Sequence, residues 1–362
     1  MVYIILILLC VGITYFNTKF KSENKIRDVI FKLVPIISVS LVAGLRSYNV
    51  GTDTSGTYLD IYNLSTQNLW AIRDRGYAIL NYFIKVIFGN YTAVLIFVSF
   101  ITYGLIFYRI YKESKIEWYS VFLFFTTDLF FISMNMVRQS IAIAIFIFSI
   151  SLINSHQKRD IVLYFIMAFL AGTMHTTGWL LIPIFFVYRF VKLSPIKAAI
   201  FTVANVILCG VITKIVLAIL FKNKYFVTYF KWYFDSIYNS GELSIVGIMI
   251  PFTILILWGV LYNINSEAKD DEQFNNLGIS MLIAGNLAMY SSFVPLIQRI
   301  SLYFSSMVIL FLPCVFSYFR NEKYKVFIKI SIFVCYLIYM VVTIFIQKQE
   351  GVMPYHSVIF GG

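Results

Sequence analysis

Apolar runs separated by short polar or basic turns pattern this chain almost from end to end. The runs fall at about 1–16, 29–45, 91–110, 118–134, 138–154, 160–173, 177–191, 196–220, 244–264, 276–296, 300–319 and 324–346. A membrane helix needs about 20 mainly apolar residues, so these runs predict an all-α polytopic membrane protein with about 12 transmembrane helices. The stretch 77–88 breaks the pattern, because Asn81 and Lys85 interrupt an already short apolar segment. It is expected to form an outer interfacial or re-entrant helix. With no strong internal repeat and no low-complexity linker, residues 1–362 read as a single transmembrane domain. That domain carries an outer-face segment at 46–90 and a second, aromatic one at 222–243.

The basic residues orient the pattern. Lys19, Lys21, Lys25, Arg27 and Lys32 follow the first run, and the groups Arg109/Lys112/Lys115, Lys158/Arg159, Arg189/Lys192/Lys197 and Arg320/Lys323/Lys325 recur at alternate turns. Cytoplasmic loops are enriched in Lys and Arg, which puts these turns inside and both termini outside. Passing 77–88 through the membrane would invert every later loop. The first run has no basic residue before it and no cleavage pattern, so it is expected to be a retained span.

Composition agrees with the pattern. The chain is 60% hydrophobic and 19% aromatic, with a mean hydropathy of +0.82, against roughly half apolar in soluble proteins. The net charge of +12 is then a matter of topology and lipid phosphate, and no basic-aromatic ladder points to nucleic acid. Cys10, Cys209, Cys314 and Cys335 lie in apolar runs without paired spacing, which indicates neither disulfides nor a zinc site.

Chemistry gathers on the predicted outer face. Arg46, Asp53, Asp60, Arg73, Arg75, Arg138, His175 and Arg299 all fall there, from distant parts of the sequence. Gly51 and Gly56 flank the polar stretch around Asp53 and permit tight turns or close backbone approach. Single arginines at helix ends are usually snorkelling anchors, but Arg138-Gln139 and Gln298-Arg299 repeat one pairing at the start of two spans. Several guanidiniums around one cavity suit a diphosphate, which they can grip bidentately. His175, between two short runs, is either satisfied by a neighbouring carbonyl or a proton acceptor. Asp128 lies within a span, where a charge costs roughly 2.5–3.5 kcal/mol, and is expected to pair with an Arg or Lys. The aromatic run from Tyr225 to Tyr238 reads as a headgroup-belt helix or a platform for stacking sugars.

Arg46 with Gly51-Thr52-Asp53 and Tyr58, then Arg75-Gly76-Tyr77, Arg138-Gln139, His175 and Gln298-Arg299 stand in an order and spacing that resembles the EpsG-like family of Wzy-type polysaccharide polymerases. One departure is that an acidic residue is common where Arg75 stands; the nearest here is Asp74. The resemblance implies a GT-C-like fold and a metal-independent glycosyltransferase without cofactor. Its donor and acceptor would be polyprenyl-diphosphate-linked oligosaccharides, joined at the outer face of a bacterial cytoplasmic membrane. It also implies catalytic roles for His175, Asp53, Arg138 and Arg299, and substrate contacts for Arg46, Arg75, Gln139, Gln298, Tyr58 and Asp128. Its partners would be the bilayer and the flippase and chain-length regulator of the same pathway. A flippase or exporter of the same lipid-linked sugar, or a membrane acyltransferase, are the alternatives. The first should show repeated halves, and the second a His reachable from inside.

Overall fold

The computed structural model describes all residues except 21, 22, 192, 225, 226, 228–244, 292, 293, 295 and 360–362. The aromatic run predicted at 225–238 therefore lies outside the described residues, apart from Val227. Regular structure among the described residues is helical, with one isolated bridge between Arg46 and Ser357. The chain divides into two compact units, residues 1–189 with 320–362, and residues 190–319.

In the first unit, α1 (Val2–Lys19), α2 (Lys25–Gly44) and α5 (Tyr91–Glu113) pack in succession. Asn24 caps the start of α2 by accepting from the Ile26 and Arg27 amides, which satisfies donors that an open helix end would leave bare. α5 then leads the packing through α8 (Val137–Ile153) to α9 (Lys158–Met174). The expected span at 118–134 is broken. Its first part, α6 (Glu117–Thr126), and its second, α7 (Leu129–Asn135), are separated at Asp128, whose φ of 62° no continuous α-helix accommodates. Aromatic rings fill the space around this break. Tyr103 packs edge-on to Phe124 with centroids 5.7 Å apart, and Phe130 packs on both Phe125 and Phe131 at 5.2 Å. Edge-to-face contacts of this kind add about 0.5–1.5 kcal/mol each beyond area burial. The Tyr103 hydroxyl shares a 2.7 Å hydrogen bond with Ser133, so the polar end of the ring is satisfied too.

The stretch expected to form a short interfacial or re-entrant helix is helical, as α4 (Arg75–Phe88). Fourteen residues rise only about 21 Å, short of the roughly 30 Å hydrocarbon core. It buries Tyr77, Ala78, Asn81 and Ile84 on one face and exposes Ile79, Tyr82, Phe83, Val86 and Ile87 on the other. That division fits a helix lying along a boundary. α3 (Leu59–Gln67) packs beside it, and the last helix, α17 (Glu322–Met340), packs on α6 and continues as a π-helical turn, Val341–Ile346.

The second unit holds α11 (Pro195–Leu220), α12 (Ile245–Ile264), α13 (Ser266–Asp270), α14 (Glu272–Ser291), α15 (Leu296–Ser305) and α16 (Val308–Ser317), after the last residue of α10 (Leu181–Phe190). α14 touches α11, α12, α15 and α16 and is largely buried. Apolar surface alone gives no preference for one helix neighbour over lipid. Here Asn205 on α11 donates to Asn286 of α14 at 2.9 Å and accepts from the Tyr290 hydroxyl, while Asn286 donates to Thr202 at 3.3 Å.

Five helical stretches among the described residues are long and apolar enough to cross a membrane: Val2–Lys19, Tyr91–Glu113, Pro195–Leu220, Ile297–Ser317 and Glu322–Ile346. Together with shorter apolar helices they make this a multi-pass membrane protein. Helices occupy the described part of each other predicted span; α12 runs 20 residues, Ile245–Ile264, and the others are shorter, more polar or broken.

Candidate functional site

The polar residues of the first unit meet where α2 ends. Leu45 leaves the helix, and Arg46 turns inward until it is 1% exposed. Its guanidinium donates to the carbonyl of Ala43 and, at 3.0 Å, to that of Met134 near the end of α7, while its buried Nε has no hydrogen-bond partner among the described residues. None of the described ion pairs includes it. The C-terminal tail seals this corner. The Ser47 amide donates to the His356 carbonyl at 2.8 Å, the Val358 amide to that of Leu45 at 2.9 Å, and the Tyr355 hydroxyl to that of Val42 at 2.9 Å.

Next along the chain, Gly51 has φ +92°, and its amide donates to the Gly351 carbonyl at 2.9 Å. A side chain here would be strained by that angle and would also meet Asn135 Oδ1 at 2.6 Å. The neighbouring Thr52 amide donates to that same Asn135 oxygen at 2.7 Å. Gly56, expected to serve a similar turn, instead lies in a π-helical turn, Thr54–Tyr58, with open space beside it. This turn carries Tyr58 inward to 3% exposure. Burial pushes the phenol's pKa up, and the Arg138 guanidinium opposes the shift.

Arg138, in the first turn of α8, is the centre of the arrangement. Its guanidinium lies 5.6 Å from the centroid of the Tyr58 ring and donates to Asp74 Oδ2 at 2.5 Å. Asp74 is 4% exposed and is held from the other side, where its Oδ1 accepts from the Thr176 amide at 3.2 Å and the Thr176 hydroxyl at 3.1 Å. Thr176 follows His175, which caps a short 3-10 turn, Thr176–Leu180. The Thr177 amide donates to His175 Nδ1 at 3.3 Å, and the Thr177 hydroxyl lies 2.7 Å from the same atom. An amide cannot accept, so Nδ1 is the acceptor, and in the neutral ring the proton sits on Nε2. Gly76 lets α4 approach α9 here: a Cβ at that position would stand 2.5 Å from Thr173 Oγ1.

Arg138, Tyr58 and the turn at His175 are therefore brought together, with Asp53 half-buried nearby and its charge acting on Tyr58. Gln139 is 2% exposed in the same turn of α8. Arg75 is exposed and covers the Trp70 ring at 5.3 Å; that ring also lines an open groove of about 540 Å³ between α3 and α4. Asp60 and Arg73 are exposed. Asp128 has a different partner from the Arg or Lys expected: it is 4% exposed and accepts from the Thr343 hydroxyl at 3.3 Å. Gln298, exposed, and Arg299, half-buried, lie on α15 of the second unit.

Two features escaped the sequence reading. Asp74 looked like a neighbour of the motif, although an acid at that point in an arginine-rich segment was a usable signal. The tail carried no signal, because its contacts are mostly through its main chain. Among the described residues, no three or more His, Cys, Asp or Glu side chains stand close enough to hold a metal ion.

Fold and site together define a multi-pass helical membrane protein with an arginine-centred polar site. The model of the EpsG family matches residues 29–357. The chain belongs to the EpsG family, and this membership supports a polysaccharide-polymerase type of function. No curated protein and no solved structure matches the chain.

Proposed function

We propose that this protein joins polyprenyl-diphosphate-linked oligosaccharide units on the outer face of the cytoplasmic membrane, crossing the bilayer about 12 times. The observation that carries the reading is the Arg138–Asp74–Thr176 connection, which ties three separate motif segments into one site beside His175.

In the reaction, a hydroxyl of the acceptor sugar attacks the anomeric carbon of the donor chain. A carbon–oxygen bond forms, and the bond from that carbon to the diphosphate oxygen breaks. The leaving polyprenyl diphosphate develops negative charge, which the fixed guanidinium of Arg138 stabilises without reorganisation. Asp74 sets the plane of that guanidinium. His175, with its ring proton on Nε2, acts as a hydrogen-bond donor to substrate oxygen, so the hydroxyl proton goes to the carboxylate side of the site, at Asp53.

Tyr58, whose ring faces the Arg138 guanidinium, and Gln139, next to Arg138 on α8, contact the substrate, and Arg46 positions the loop that carries Asp53. Arg75 with Trp70 offers a charged and an aromatic surface to the saccharide. Gln298 and Arg299 are assigned diphosphate contact, and Asp128 substrate contact, on the family resemblance alone.

Cells from which the protein has been deleted are expected to accumulate single lipid-linked repeat units on the outer leaflet. Analysis of extracted lipids, with outer-leaflet units scored by their accessibility to a glycosidase added to intact spheroplasts, checks this. Accumulation confined to the inner leaflet would favour a flippase instead.

A further inference from the structure

One carboxylate of the first unit has no part in the reaction as described: Glu350, on the tail. Its backbone is left-handed, with φ 68°, between Lys348 at 52° two residues earlier and Gly351 at 60°. Non-glycine residues seldom adopt this conformation, and where they do the surroundings must enforce it, often at working sites. Here Asn135 does the enforcing. Its Nδ2 donates both to the Glu350 carbonyl and to Glu350 Oε2, each at 2.5 Å, while its Oδ1 receives the Thr52 amide. Gly51 closes the seam by donating to the Gly351 carbonyl. One amide side chain thus holds the tail carboxylate against the loop residue that precedes Asp53. The match to the EpsG family model runs through residue 357 and includes this tail.

We propose that Glu350 and Asp53 form a carboxylate pair at the seam between tail and loop, and that the pair takes up the proton released by the acceptor hydroxyl. This rests on the polymerase reading. As the acceptor oxygen bonds to the anomeric carbon its O–H bond breaks, and the electron pair of the cleaved anomeric bond leaves with the diphosphate. The proton remains on the pair and passes to water before the next cycle. Two neighbouring carboxylates suit this task, because like charges held close favour sharing one proton.

The surroundings of Glu350 set the expected pH dependence. Burial raises its pKa most, the Asn135 amide lowers it, and the charge of Asp53 raises it. Asp128 and Tyr339, from the break before α7 and from α17, also interact with it electrostatically. None of the described ion pairs includes Glu350. The rate should therefore fall as pH drops through a carboxylate pKa above the ordinary range. Removing the Asn135 amide takes away a donor that stabilises the ionised form, so that acid limb should move to higher pH.

The test uses purified full-length protein and lipid-linked repeat units extracted from cells lacking it. Glu350→Gln keeps the size and an acceptor oxygen for Asn135, and should lower kcat by about 100-fold or more with KM within a few-fold, as loss of a proton acceptor does. Glu350→Asp should recover part of that rate, and Asn135→Ala should shift the acid limb upward in pH. Wild-type kcat and an unchanged acid limb in Glu350→Gln would overturn the pair while leaving the polymerase reading intact. If Glu350→Gln does not fold, folded Asn135→Ala with an unmoved acid limb overturns it equally. A wild-type protein that makes no polymer would instead count against the underlying reading.

Discussion

Arg138→Lys is expected to reduce polymer formation about 100-fold or more while protein level stays near that of the wild type. The guanidinium is planar, and its position is set by the carboxylate of Asp74 at 2.5 Å and the ring of Tyr58 at 5.6 Å. Lysine can still reach the carboxylate, so the ion pair and the fold should persist. It presents a hydrated point charge, however, and cannot offer a second coplanar donor to a diphosphate. Loss of one preorganised donor at a site of developing charge costs roughly 10²–10³-fold in kcat. Polymer made by cells carrying the variant, measured against protein level, checks this. Full activity with lysine would make Arg138 an anchor and remove the diphosphate grip from the mechanism.

Asp74→Ala should be more damaging still, because it acts on stability as well as on chemistry. It leaves a guanidinium with a buried Nε facing no carboxylate, and it strips the Thr176 amide and hydroxyl of their acceptor. Removing one partner of a buried pair typically costs roughly 3–5 kcal/mol, a large share of most proteins' margin. The yield of monodisperse detergent-extracted protein and its thermal midpoint should both fall. Asp74→Asn, which keeps an acceptor for Thr176, should fold better but polymerise poorly. Replacing both partners by apolar residues, Asp74→Leu with Arg138→Met, should recover much of the folding and none of the activity, since an apolar pair leaves no stranded charge. Recovery of activity in the double variant would show that the pair only holds the helices together.

Much of the fold was legible because a bilayer leaves the chain few options. Long apolar runs must become helices, and the helices fall on the predicted runs. The short amphipathic α4 was equally readable, since Asn81 and Lys85 shorten its apolar stretch. The break at Asp128 was not, because nothing in a run such as Phe-Phe-Thr-Thr-Asp-Leu-Phe-Phe announces a left-handed residue, and hydropathy is blind to it.

At the site, the residue types were readable and their partners were not. Arg138 and His175 stood out as polar groups between apolar runs, yet the acid that joins them, Asp74, precedes the glycine that lets α4 approach α9. That contact is tertiary, and spacing along one strand of sequence does not encode it. The sequence offers His175 as a proton acceptor, and only the Thr177 amide, a tertiary detail of the turn, says which ring nitrogen carries its proton. The tail is the clearest case, because Val358, His356 and Gly351 act through backbone atoms that every residue possesses.

The central claim is that this one protein makes the glycosidic bond between lipid-linked units. Its most direct test is reconstitution of the purified protein in vesicles with repeat units extracted from deletion cells, with no nucleotide sugar added. The proposed reaction predicts saccharide chains of increasing length and one polyprenyl diphosphate released for each bond formed, with both signals lost in Arg138→Lys. Units that cross the vesicle membrane without lengthening, or remain single at every time and protein concentration, would contradict it.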